Sequence, residues 1–282
     1  MKKVVVFGAG LMGNGITQVC AQSGLDVAMV DIEDRFVENG IKNINRNLQR
    51  GVDKGRMNSE QMQEIMGRII GTTGREVAKD ADVVIEAIIE NEKLKKELYA
   101  ELDTICPEHT IFASNTSSIS ITAMASVTKR QDKFIGMHFF NPVPVMKLVE
   151  IIRGFNTSDG THELIEELSK KIGKEIVTVN EAPGFAVNRL LIPFMLEAIF
   201  AIQENVCTVE DLDKSIKLGL NHPMGPLTLL DFVGLDTTLY IADYMFEEFK
   251  DPKYRAPALL RKMVRAGHLG RKSGKGFYDY RK

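Results

Sequence analysis

The chain has 282 residues, 44% of them apolar, a formal net charge of −2 and three cysteines. That apolar content fills one large core or two moderate ones, and the near-zero charge supplies no basic field for nucleic acid. Cys20, Cys106 and Cys207 lie far apart with no CxxC pair, so neither a metal site nor a disulfide framework is expected, and a reducing, cytoplasmic compartment fits. A strand is expected from Lys2, which leaves no room for a signal or transit peptide. The most apolar long segment, 185–203, contains Asn188, Arg189 and Glu197, which predicts a buried or interface helix and no membrane partner.

In chain order, Val4 to Phe7 reads as a parallel strand buried on both faces. Gly8-Ala9-Gly10-Leu11-Met12-Gly13 follows directly, then a helical pattern from Leu11 to Gln22, stopped by Gly24. In this setting Gly8 permits the tight turn, Gly10 lets backbone amides approach a pyrophosphate, and Gly13 lets helix and strand pack closely. The helix N-terminus offers its unpaired N–H groups to the same anion. A second apolar run, Asp26 to Val30, ends in Asp31. An acid there accepts hydrogen bonds from an adenosine ribose and repels a 2′-phosphate, which favours NAD over NADP, with Arg35 the cation nearby.

A long helix is expected to about Lys54 and a shorter one from Ser59 to Met66. Lys42, Arg46, Arg50 and Lys54 recur every four residues as one basic stripe. The stripe reads either as a solvated face or as a docking strip for a phosphate-rich tail such as coenzyme A. Residues 69–72, 81–89 and 110–118 are the next candidate strands, with a charged helix over 91–103. Ligands in open α/β sheets bind beyond the carboxyl ends of strands, which aims Glu90, Asn115 and Ser117 at the crevice. Each is equally well read as a turn or cap residue, and Ser117 or Ser118 is expected to cap a helix.

Residues 134–140 and 147–152 alternate as strands on either side of Asn141-Pro142-Val143-Pro144, the layout of a hairpin. His138 and Glu150 would then face one another. A histidine alone on an apolar strand is more often a satisfied core residue, but here an acid is embedded as deeply. Two ionisable groups in apolar strands are costly unless they pair, and an imidazole backed by a carboxylate is a general base. Lys174 to Val179 is a last strand, and residues 181–184 look like a domain junction. This gives an α/β nucleotide domain over 1–184 and a helical domain over 185–282. Helices are expected over about 185–204, 209–218, 226–249 and 257–266, with Pro193 kinking the first. Asn188 falls in the first turn of that helix. Its apolar stretch from Leu190 to Phe200 needs cover on several faces, which a homodimer would supply.

GAGLMG at 8–13, SNTSS at 114–118, HFFNPVP at 138–144, Glu150, PGFAVNR at 183–189, HPMGP at 222–226 and GKGFYDY at 274–280 together resemble the 3-hydroxyacyl-CoA dehydrogenases. The resemblance covers essentially the whole chain. It implies a Rossmann-like dinucleotide-binding domain, then an all-helical dimerisation domain. It also implies hydride transfer between NAD(H) and a short-chain 3-hydroxyacyl-CoA thioester, such as 3-hydroxybutyryl-CoA and acetoacetyl-CoA, in butyrate and fatty-acid metabolism. By resemblance His138 is the base, Glu150 its partner, and Ser117 and Asn188 hold the substrate's C3 oxygen. The implied dinucleotide contacts are Gly8, Gly10, Leu11, Met12, Gly13, Asp31, Glu90, Lys95, Asn115, Asn141 and Lys272. Arg50 and Lys54 are the implied contacts to coenzyme A. Two other readings share the nucleotide fingerprint. Dehydrogenases of free β-hydroxy acids use a lysine on the long interdomain helix, and no lysine occurs between Lys174 and Lys214. A non-catalytic NAD-binding protein would have no use for the His138–Glu150 pair.

Overall fold

The computed structural model describes residues 1–281. Val4, Val5 and Val6 are wholly buried, as a strand covered on both faces requires, and they form β1 (Lys3–Phe7). Helix α1 (Leu11–Gln22) follows the glycine turn, and β2 (Asp26–Val30) pairs with β1 in parallel. Helices α2 (Asp34–Asp53) and α3 (Ser59–Gly67) lead to β3 (Ile69–Thr72). Next come β4 (Val83–Glu86), α4 (Glu92–Ile105), β5 (Ile111–Ser114) and the short α5 (Ile121–Ala125). A hairpin of β6 (Phe134–Phe139) and β7 (Leu148–Arg153) precedes α6 (Asp159–Lys171) and β8 (Glu175–Asn180).

The eight strands make one sheet in the order β3-β2-β1-β4-β5-β6-β7-β8. The first six are parallel, β7 runs antiparallel to β6, and β8 is parallel to β7. An order of 3-2-1-4-5-6 reverses between β1 and β4, and ligands of open α/β sheets bind at that switch point. Ile16, Val19 and Leu25 from α1 and its turn pack against Val4, Val6, Ile85 and Ala113 on one face of the sheet. Met29, Val37, Ile44 and Leu48 form a second cluster under α2.

Several expectations need correction. Neither Ser117 nor Ser118 caps a helix. Ser120 does, its Oγ accepting the Ala123 amide at 3.0 Å, because α5 starts later than the apolar run suggests. The strands expected over 81–89 and 110–118 are only four residues long each. Their outer residues leave the ladder at the crevice, where they turn towards side-chain partners. Helix α6 was not anticipated at all. Parallel neighbours cannot be joined by a tight turn, so the β7–β8 connection must cross over, and α6 is that crossover.

The chain divides into two compact units, Met1–Ala182 and Pro183–Lys282. The second holds α7 (Val187–Gln203), α8 (Val209–Gly219), α9 (Pro226–Val233), α10 (Leu235–Phe249) and α11 (Ala258–Arg265). Helix α7 is unbroken through Pro193. The single helix expected over 226–249 is two helices, since Gly234 takes a φ of +103° that a continuing helix does not allow. Its N–H caps α9 on Leu230 O at 2.8 Å, and its carbonyl receives Thr238 at the start of α10. Ile192, Leu196, Ile199, Leu230, Ala242 and Met245 form the core of this unit. The tail is pinned to it by Asp231, which accepts the amides of Phe277 and Tyr278 at 2.9 Å each. Among the described residues, no helix is long and apolar enough to cross a membrane.

Candidate active site

The glycine turn sits at the carboxyl end of β1. Gly8 has a φ of +105°, and a Cβ there would lie 2.4 Å from the Ala87 carbonyl oxygen. A Cβ on Gly13 would lie 1.7 Å from the Gly8 carbonyl oxygen, so the helix meets the strand only if that position is glycine. Gly10 differs, because a Cβ there would meet nothing within 4 Å. It faces open space, and as the N-cap of α1 it gives the first-turn amides no side-chain acceptor. Those amides, at the positive end of the helix, form an anion site open to a pyrophosphate.

A cavity of about 1040 Å³ opens beside this turn, lined by Gly8, Ala9, Gly10, Leu11, Asp31 and residues of α2 and α4 among others. Asp31 is fixed on its wall: Oδ2 accepts the Ala9 amide and Oδ1 the Ile32 amide, each at 2.7 Å. Open glycine, unsatisfied helix amides and an oriented acid in one cavity fit the adenosine and pyrophosphate of a dinucleotide.

At the carboxyl ends of β4 and β5 a buried charge network takes over. Lys95 Nζ lies 2.8 Å from Glu86 Oε1 and 2.9 Å from Glu90 Oε2. Removing one partner of such a buried set costs about 3–5 kcal/mol, so the three side chains depend on one another. Burial pushes the Glu86 carboxyl above the usual carboxylate range, against the pull of Lys95. Burial acts the same way on Glu90, but Lys95, the Thr116 hydroxyl and the Ser117 amide outweigh it and hold that carboxyl below its usual range. Glu90 Oε1 accepts the Ser117 amide at 2.9 Å and the Thr116 hydroxyl, which fixes the loop after β5. Lys95 was expected to touch the dinucleotide. It is 1% exposed and enclosed by the two glutamates.

The hairpin carries the remaining chemistry. Its antiparallel register sets His138 directly opposite Glu150. His138 Nδ1 is 2.7 Å from Glu150 Oε2, with the histidine 7% and the glutamate 0% exposed. The His138 ring packs against Phe140, and Asn115 Oδ1 accepts the neighbouring Phe139 amide at 2.9 Å. The turn of the hairpin rests on α1, where a Cβ on Gly15 would come within 2.9 Å of Val143 Cβ. Lys174 closes the turn from below, donating to the Val143 and Met146 carbonyls. Burial lowers the Lys174 pKa below the ordinary lysine value. Asn141 stands exposed at the start of this turn.

Arg50 and Lys54 are exposed on and just past the last turn of α2, while Lys42 is paired with Glu38 and Arg46 with Asn43. In the second unit, Asn188 lies in the first turn of α7, and Lys272 Nζ donates to Asp236 Oδ2 at 2.7 Å. Glu86, Lys174 and Asp236 carry no motif and were not anticipated. Only Glu86 left a signal, as an acid inside the apolar run from Val83 to Ile89. Among the described residues, no group of His, Cys, Asp and Glu could hold a metal ion.

A dinucleotide crevice and a buried His–carboxylate pair on one sheet define an oxidoreductase that works with a nicotinamide cofactor. The 3-hydroxyacyl-CoA dehydrogenase NAD-binding domain matches residues 3–182, and the C-terminal domain of the same family matches residues 184–280. A "Probable 3-hydroxybutyryl-CoA dehydrogenase" of Bacillus subtilis is 49% identical over 280 residues, covering 99% of this chain and 98% of the relative. Human mitochondrial hydroxyacyl-coenzyme A dehydrogenase is 44% identical, covering 100% of this chain and 92% of its own length. The crystal structure of (S)-3-hydroxybutyryl-CoA dehydrogenase PaaH1 from Ralstonia eutropha superposes with a TM-score of 0.97 at 50% identity, covering 100% of both chains. The chain belongs to the 3-hydroxyacyl-CoA dehydrogenase family, and its first unit is that family's NAD-binding domain.

Proposed function

We propose that this chain interconverts 3-hydroxybutyryl-CoA and acetoacetyl-CoA with NAD(H). The observation that carries this reading is the 2.7 Å His138–Glu150 contact in a hairpin packed on the nucleotide helix. The substrate is taken from what the Bacillus subtilis and Ralstonia eutropha relatives are named for. Glu150 keeps a proton on His138 Nδ1, so proton exchange with the substrate runs through Nε2. In the oxidative direction His138 takes the C3 hydroxyl proton, and the enclosed Glu150 carboxylate stabilises the imidazolium. In reduction His138 returns that proton to the C3 oxygen. Bound NAD supplies the hydride acceptor.

Ser117 and Asn188 are assigned to the C3 oxygen, since a hydroxyl and an amide both donate hydrogen bonds. The backbone of Gly8, Gly10, Leu11, Met12 and Gly13 is assigned to the pyrophosphate and Asp31 to the adenosine ribose. Glu90, Asn115, Asn141 and Lys272 are further NAD contacts, with Lys95 acting through Glu90. Arg50 and Lys54 are assigned to the phosphates of coenzyme A. The test is NADH consumption on addition of acetoacetyl-CoA, run beside free acetoacetate. Consumption is expected with the thioester alone. Equal turnover of the free acid would move the chain to the β-hydroxy acid dehydrogenases, and NADH binding without turnover would make it a non-catalytic binder.

The chain is also proposed to act as a homodimer through its helical unit. Leu190 on α7 is 77% exposed, and Leu218 and Leu220 stand exposed at the end of α8. Sedimentation at micromolar concentration is expected to return twice the mass of one chain, and Leu190→Lys to shift it towards one. A wild-type monomer would sink this part of the reading.

A further inference from the structure

Three acids line the nucleotide cavity, Asp31, Glu97 and Glu101, and among the described residues on its wall Arg75 is the sole cation. Arg75 begins the 3-10 turn that follows β3. That strand is the direct neighbour of β2, with Thr72 opposite Val30, and the Asp31 amide donates to the Thr72 carbonyl at 3.3 Å. Arg75 is therefore only three residues beyond the point where the chain touches the ribose-binding acid. A guanidinium at this place is what recognition of a 2′-phosphate needs, since its planar fork matches phosphate oxygens. Here one arm of the fork is engaged: Arg75 Nη1 is ion-paired with Glu101 Oε2 from α4. Glu97, one helical turn earlier, is paired with Lys93 at 3.9 Å. The other arginine near Asp31, Arg35, is held by Glu33 at 2.8 Å and lies over the Phe36 ring.

We propose that Glu101 is a specificity-determining residue for the cofactor: by holding Arg75 it withholds from a 2′-phosphate the one guanidinium on the cavity wall that could bind it. The assignment rests on the reading that this cavity receives the adenosine half of NAD. It adds to the repulsion from Asp31 and differs from it in kind. Asp31 repels the extra phosphate directly, whereas Glu101 removes its counter-charge. Arg75 and Glu101 are 39% and 46% exposed, so solvent screens their attraction and the expected effect is moderate.

The test uses the full chain and fluorescence titration of NADH and NADPH, which does not depend on turnover. Glu101→Gln is expected to tighten NADPH binding relative to NADH by about fivefold to tenfold, the scale of one screened ion pair exchanged for a phosphate contact. Arg75→Met in the Glu101→Gln background is expected to abolish that gain. An unchanged NADPH-to-NADH ratio in the single variant overturns the proposal. A gain that survives in the double variant does so too, because it would come from lost repulsion without any role for Arg75. Wild-type binding of NADH is the control that separates the two levels. If NADH does not bind, the reading of the cavity falls and takes this assignment with it; if NADH binds and the ratio does not move, only the role of Glu101 falls.

Discussion

His138→Gln is expected to lower kcat for acetoacetyl-CoA reduction by about 10³- to 10⁴-fold, with NADH affinity unchanged. The amide fits the space of the ring and can still hydrogen-bond to Glu150, so the hairpin register is preserved. What glutamine lacks is a nitrogen that accepts and releases a proton near neutral pH. Binding is expected to hold because His138 does not line the adenosine cavity. Steady-state turnover and NADH titration on the same preparation separate the two effects. A kcat within tenfold of the wild type would remove His138 from the role of base.

The second large effect is expected at Glu150, where the Gln variant should lose on the order of 10²- to 10³-fold in kcat. The side chain is 1% exposed and sits opposite His138 in the strand register, so shape and pairing carry over to the amide. The charge does not. A neutral amide gives an imidazolium no compensating partner, and the buried cation then becomes costly to form. If the amide donates to Nδ1, the ring proton moves to Nε2, the nitrogen that has to exchange with substrate. Kinetics and thermal unfolding measured together decide the matter: kcat is expected to fall while the unfolding midpoint moves little. Retained full activity across the pH range would take Glu150 out of the mechanism.

The parts of this molecule that were legible from its sequence are those where local pattern and tertiary demand coincide. The first strand, the glycine turn, α1 and β2 were readable because the two apolar runs are buried strands and the glycines between them mark the turn and the helix end. The His138–Glu150 pairing was readable because a proline-bearing turn fixes the register of its two strands. Helix α6 was missed between two such strands, although Ser158 caps it and its buried Ile165 and Leu168 fall on one face. The break at Gly234 was missed because a glycine inside a helical pattern is ordinarily tolerated at small cost. The contacts among Glu86, Lys95 and Glu90, and that between Arg75 and Glu101, were hidden for a different reason. The first set depends on how the chain turns from β4 into α4, and the second on the strand order, neither of which a periodicity encodes.

The seating of the hairpin turn on α1 through Val143 and Gly15, with Lys174 beneath it, has a consequence for how the catalyst is assembled. The helix whose amino end is proposed to meet the dinucleotide also shoulders the loop carrying Asn141, three residues beyond His138. On the proposed reading, proton acceptor and redox partner are thus gauged against a common beam inside the first unit. Drift in either would strain the other, so the reacting distance is inherited from packing that forms when this unit folds.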